Sequence, residues 1–337
     1  MPVLTRRSEL LKARLDRFSR VLHGVEKGDI RALHRARVAS RRLRELLPVL
    51  QLDHGTAHKL TRRLRRVTSR LGTVRELDVL MLLIDELHIS RRSRSAPIGR
   101  VGVAIAKARD DARKRLFRHL PIGGLRRIAR KLEKLVDELA KHEQAEPRRG
   151  AAAGAQTRRG AEGARSGWRW AIEARLTKRA SRLRATIDEA GAVYLPERLH
   201  DVRIAVKKLR YACELAGEAA GVKHEPELRV LRRGQEILGR MHDLQMLIDR
   251  VRDVQASLAP PSLPVWRELD DVVESLDEDC RRLHARYMRA RGELRVLADK
   301  LARGLGPQKL TPTRGQTPAG SRRGFTATTG TSARRVS

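Results

Sequence analysis

Residues 33–46 read LHRARVASRRLREL, and residues 199–212 read LHDVRIAVKKLRYA. Aligned at an offset of 166, Leu33, His34, Arg37, Ala39, Leu43 and Arg44 recur as Leu199, His200, Arg203, Ala205, Leu209 and Arg210. Arg41 and Arg42 recur as Lys207 and Lys208, so the charge is kept. A second match follows in the same order at an offset of 167. Residues 71–84 read LGTVRELDVLMLLI and residues 238–251 read LGRMHDLQMLIDRV, pairing Leu71-Gly72 with Leu238-Gly239 and Glu76-Leu77 with Asp243-Leu244. Arg75 is replaced by His242. A period this long marks a duplicated domain rather than a solenoid of short repeats.

Leu, Val, Ile and Ala recur at three- and four-residue spacing through both copies, which predicts helices. Placed on a helix at about 100° per residue, His34, Arg37, Arg41 and Arg44 fall on one stripe. Ala36, Ala39, Leu43, Leu46 and Leu47 fall opposite and predict the buried side. His200, Arg203, Lys207 and Lys208/Arg210 repeat the arrangement. Like charges one helical turn apart cost a few tenths of a kcal/mol per pair. Nothing acidic lies in the stripe, and Glu45 sits off it. One basic stripe is the ordinary solvated face of a surface helix. The same stripe in both copies points to an anion-binding surface instead. Arg offers a planar fork to phosphate oxygens and Lys a point charge.

The second segment adds secondary candidates. On one helix, Arg62, Arg65 and Arg75 share a face with Gly72, as Arg229, Arg232 and His242 do with Gly239. A glycine there lets either a ligand or a neighbouring helix approach the backbone closely. Thr73-Val74-Arg75-Glu76 also fits a capping box that would restart the helix at Gly72. Glu76 and Asp243 could then cap or orient basic side chains.

Working outward, the periodicity predicts helices over about 4–26, 30–50, 56–88, 97–118, 122–143, 167–189, 197–218, 225–256 and 263–303. Long helices with short connections predict antiparallel bundles. Residues 145–167 are rich in Gly, Ala and Arg and read as a flexible linker between an N-terminal bundle (1–144) and a C-terminal bundle (168–303). Residues 304–337, rich in Gly, Thr, Pro and Arg, read as a disordered basic tail. Trp168, Trp170 and Trp266 are expected in the core or at bundle edges, and Cys213 as a small buried hydrophobe.

The 337 residues carry 74 Lys+Arg against 40 Asp+Glu, a net charge of +34 that implies a polyanionic partner. Most of the excess lies in residues 1–144. Aromatic residues make up 3%, which argues against an all-β fold and against base stacking on single-stranded nucleic acid. Two cysteines cannot build a disulfide framework, in keeping with a reducing cytoplasm. No apolar run reaches membrane-spanning length, and the first residues lack a signal-peptide core.

The pattern LHxxRVAxRRLRxL followed by LGxxRELDVL resembles the CHAD family, the conserved-histidine α-helical domain. LHDVRIAVKKLRYA with LGRMHDLQML is similar to that family's C-terminal half. The resemblance covers about residues 1–303 apart from 145–167. It implies an all-α fold of two pseudo-twofold-related four-helix bundles facing a basic central channel. It also implies binding of inorganic polyphosphate in that channel and association with polyphosphate granules. Carried over residue by residue, His34, Arg37, Arg41, Arg42 and Arg44 would line one side, and His200, Arg203, Lys207, Lys208 and Arg210 the other. Arg75 and His242 are secondary positions, with Arg65 and Arg232 on the same helical faces. Where the family's first copy carries Asp after the histidine, this chain has Arg35, while Asp201 keeps it.

A non-catalytic polyphosphate-binding protein is therefore expected, without cofactor or metal. Non-specific nucleic-acid binding is the alternative. Some CHAD domains are joined to a triphosphate-tunnel enzyme carrying ExExK. Here only Glu225-Pro226-Glu227-Leu228-Arg229 approaches it. There is no GxxxxGK[ST] loop and no HExxH.

Overall fold

The computed structural model describes residues 6–89, 96–152, 155–221, 224–258, 260 and 262–303. These form ten α-helices and one 3-10 turn, with no strand among the described residues. In chain order the helices are α1 (Arg7–Ser19), α2 (Leu22–Glu26), α3 (Ile30–Leu46), α4 (His54–Ile89) and α5 (Ala96–His119). They continue as α6 (Ile122–Ala152), α7 (Ala155–Ala190), α8 (Pro196–Ala220), α9 (Glu225–Ala256) and α10 (Leu263–Arg303). The chain is all-α, as the periodicity predicts.

Local signals set the helix ends. Asp29 caps α3 by accepting from the Arg31 N–H at 2.8 Å. Pro196 opens α8 at a position whose N–H has no helical partner. Gly221 closes α8 at φ 66°, a conformation in which a Cβ is strained. The stretch predicted as one helix over 4–26 divides at Arg20 and Val21. There α1 ends at Ser19, and the Arg20 N–H and Nε both donate to the Asp16 carbonyl, at 3.1 and 3.2 Å. In contrast, α4 runs unbroken past Gly72, so Thr73–Glu76 is helix interior and not a cap. Leu71, Val74, Leu77 and Leu80 are all buried and hold that helix against its neighbours on both sides of the glycine.

The stretch expected as a linker, 145–167, is helical at its described residues, and 153 and 154 lie outside them. α6 continues to Ala152 and α7 begins at Ala155. Ala, Arg, Gln and Glu are strong helix formers and outweigh the scattered glycines. The tail at 304–337 lies outside the described residues.

α3 packs on α1 and α4, and α8 packs on α7 and α9. The copies meet where α3 touches α8 and α4 touches α9. One apolar core runs from Leu10 through Ala298. The repeated leucines Leu43 and Leu209 are both fully buried, each contributing about 1.5–3 kcal/mol. Between α3 and α4 the buried hydroxyls of Ser40 and Thr68 meet at 3.0 Å, and Thr68 also donates to the Leu64 carbonyl. Trp168 is buried as expected. Trp170 and Trp266 are exposed instead, each lying on the outward side of a long helix.

Candidate functional site: a convergent basic cluster

Because α3 and α8 bury their leucine faces, their basic stripes are left to face outward from each bundle, and the contact between the two helices brings the stripes together. The Arg41 guanidinium donates from Nη1 to the Tyr211 hydroxyl at 3.1 Å and lies 5.8 Å from the ring centroid. Arg210 lies 4.7 Å from the same centroid. Arg37 is near enough to Arg203, and Lys207 to Arg203, Arg41 and Arg37, for each to feel the other's charge.

α4 and α9 supply the walls. The Arg37 Nη2 sits 3.9 Å from Glu76. A Cβ added at Gly72 would stand 3.4 Å from the Arg37 Nε. The glycine therefore makes room for a side chain of the cluster itself. The matching Gly239 has nothing within 4 Å of the same position. Arg75 lies close enough to influence both His34 and Asp243, so it spans from its own half to the other. His200 and His242 approach Nδ1 to Nδ1 at 3.3 Å, with ring centroids 4.7 Å apart.

The electrostatics follow from this crowding. Burial, then Arg203, Arg41 and Arg37, pushes the Lys207 ammonium down to about 7, against only Asp243. Burial, then Arg203, His200 and Lys207, brings His242 down to about 3. His200 is lowered by burial and Arg203, and His34 by burial and Arg75. These imidazoles are neutral at pH 7, and two neutral rings can share one hydrogen bond. Burial also lowers Arg37 and Arg203, which remain charged at neutral pH. Asp243 is raised, because burial outweighs Arg203, Lys207 and Arg75. The Nε groups of Arg37 and Arg203 are buried with no hydrogen-bond partner among the described residues. Buried donors without acceptors are costly, and an anion placed among them would supply acceptors and charge together.

Eight of the positions singled out in the sequence thus gather in one place: His34, Arg37, Arg41, Arg75, His200, Arg203, Lys207 and His242. The other six do not. Arg42 turns to Glu214 at 3.3 Å, and Arg210, which borders the cluster at the Tyr211 ring, pairs with the same carboxylate and donates to Gln235 at 2.8 Å. Arg232 is exposed and bound to Glu225 at 2.6 Å, a residue of its own helix. Arg44, Arg65 and Lys208 belong to a neighbouring group around Glu45.

That group was not foreseen. Glu45 is buried, hydrogen-bonded to Arg175 and 3.7 Å from Arg179 and Arg44. Burial alone would raise its carboxyl, but Arg175, Arg179 and Arg44 together hold it below the usual range. Tyr211 was missed too. The repeat itself carries the signal, since Glu45 and Tyr211 occupy the same position at the offset of 166, and an exchange within a matched segment marks divergent use.

Known proteins were compared with the chain. Among curated proteins nothing matches. The crystal structure of the CHAD domain from the plant Ricinus communis is similar at a TM-score of 0.53 and 18% identity, covering 89% of this chain and 95% of that one. PptA from Streptomyces chartreusis is similar at 0.51 and 16% identity, covering 89% and 99%. At such identities the likeness is one of fold. The CHAD domain family matches residues 9–252, ending within α9, and on that match over most of its length the chain belongs to the CHAD-domain family.

Proposed function

We propose that the protein binds inorganic polyphosphate without catalysis, in the cluster between α3 and α8. One observation carries this reading: Arg37, Arg41, Arg203 and Lys207 converge with Glu76 and Asp243 as the nearby carboxylates, and two arginine Nε donors there have no partner among the described residues. A linear phosphate chain is thin, unbranched and all acceptor, so it fits between two packed helices far better than a nucleic-acid duplex, which is wide enough to take a whole α-helix in its major groove. Its oxygens would take the free Nε groups, and its charge would relieve the repulsion that depresses Lys207. The role follows from the family resemblance and the charge: holding polyphosphate and bringing the protein to polyphosphate granules. No helix among the described residues is long and apolar enough to cross a membrane.

Calorimetric titration with long-chain polyphosphate, competed by duplex DNA and by RNA of equal charge, tests the reading. Preferential binding of polyphosphate is the expected result. It should weaken on the order of a hundredfold in an Arg37→Glu/Arg203→Glu variant whose helicity by circular dichroism is unchanged. Equal binding of all three polymers, or full binding by that variant, would overturn it.

A further inference from the structure

The outer side of α3 carries a second basic feature. An open groove of about 620 Å³ is lined by Arg17, Arg20 and Val21 from α1 and the turn after it, and by His34, Arg35, Val38, Ala39 and Arg42 from α3. Every charged residue lining it is an arginine. Arg42 is engaged by Glu214. Arg17, Arg20 and Arg35 are exposed and make no ion pair among the described residues; Arg20 donates only to its own helix's Asp16 carbonyl. The floor is apolar, from Val21, Val38 and Ala39. A cleft of one charge sign with low-dielectric walls focuses its field and draws in counter-ions.

His34 belongs to this groove and also to the central cluster, where Arg75, Arg37 and Arg41 act on it. The groove and the cluster therefore share His34. The second copy is not built this way. The position matching Arg35 is Asp201, which stands beside His200 and opposes the depression of its pKa. One half sets a carboxylate next in sequence to its stripe histidine, and the other sets a further arginine there.

We infer that the α1–α3 groove is a second polyanion-binding segment, in which a phosphate chain leaving the central cluster passes His34 and lies along Arg35, Arg20 and Arg17. The inference rests on the polyphosphate reading of the central cluster and adds a direction to it: long chains leave on the side of the first repeat. Short chains, held by the cluster alone, do not reach the groove. Chain-length preference is therefore set by these three arginines.

The test compares the intact chain, an Arg17→Ala/Arg20→Ala/Arg35→Ala variant, and a control with Arg267→Ala/Arg281→Ala/Arg289→Ala on α10, a helix remote from α1 and α3 in the packing order. Each is titrated with triphosphate and with long-chain polyphosphate over a range of salt. The groove variant is expected to lose about tenfold in long-chain affinity and to show a shallower dependence of log affinity on log salt, since fewer counter-ions are exchanged. Its triphosphate affinity, read by direct titration or competition, should stay within about twofold, and the control should retain both affinities. Arginine-selective modification by phenylglyoxal, read by mass spectrometry, gives a second readout. Long-chain polyphosphate should protect Arg17, Arg20 and Arg35, and triphosphate should leave them reactive. An unchanged long-chain affinity and slope with no protection, or an equal loss in the α10 control, would overturn the groove while leaving the central site standing. Failure of the intact chain to bind any polyphosphate would overturn both.

Discussion

The α3–α4 and α8–α9 pairs descend from the same repeated segments, yet they meet the shared site with different chemistry. The first pair presents three arginines, Arg37, Arg41 and Arg75, beside the single imidazole of His34. The second presents His200, Lys207 and His242 beside Arg203, and burial among those cations leaves the first three poised or neutral. At the position matching Tyr211, the first half has Glu45, tied down by arginines of α7. Duplication supplied one scaffold. Divergence then left one half a wall mainly of arginine and made the other a wall of imidazole and lysine whose charge depends on what it faces.

The sharpest way to break that comparison is at Glu45 and Tyr211, the matched positions with different work. Glu45→Ala leaves Arg44, Arg175 and Arg179 facing one another partly buried. It should cost about 3 kcal/mol of stability by chemical denaturation. The same carboxylate makes stability acid-sensitive. Its folded pKa lies below the ordinary 4.5, so its contribution is present above 4.5 and is lost as pH falls through the folded value. The acid limb of the stability profile should flatten in Glu45→Ala, and an unaltered limb would mean that the Glu45 carboxylate does not stabilise the fold through these arginines.

Lys207 sharpens the comparison from the other side. Its folded pKa of about 7 lies below the ordinary 10.5, so between these values the unfolded chain holds the extra proton. Stability of the free protein should therefore rise with pH across that window, and the rise should disappear in Lys207→Met. Polyphosphate favours the ammonium, so binding takes up a proton and affinity should climb about tenfold per pH unit at most as pH drops toward 7. Lys207→Arg fixes the charge and should flatten that dependence. Titrations in buffers of different ionisation enthalpy count the proton directly.

The smallest effect is expected at Tyr211→Phe. The ring stays beside Arg41 and Arg210, and only the hydroxyl that accepts from Arg41 is lost. A loss of about 1 kcal/mol, in stability or in polyphosphate affinity, is the scale of one such hydrogen bond. No change in either would make the contact incidental.

Much of the architecture was legible before any coordinates. The three- and four-residue spacing of Leu, Val, Ile and Ala placed most helices to within a few residues, because a long amphipathic helix repeats its signal at every turn. The misplacements have local causes. At Arg20–Val21 the backbone turns between two helices that periodicity alone would join. At 145–152 and 155–167 helix-forming residues outweighed a glycine content that reads as linker. At Gly72 packing on both sides overrode a capping signal.

The site divides in the same manner. Sequence alone determined that two matched basic stripes exist and which face of each helix carries them, since both follow from the repeat and from the helical period. It also determined the all-α character, through composition and spacing. Only the tertiary structure decided which cations meet. Arg37, Arg41, Arg203 and Lys207 converge because α3 touches α8, while Arg44 and Arg232 lie on the same predicted faces but are drawn away by Glu45 and Glu225. The depressed Lys207, the buried Glu45 and the groove beside Arg35 belong to that second class. Each depends on burial and on neighbours from distant parts of the chain, and a helical wheel records neither.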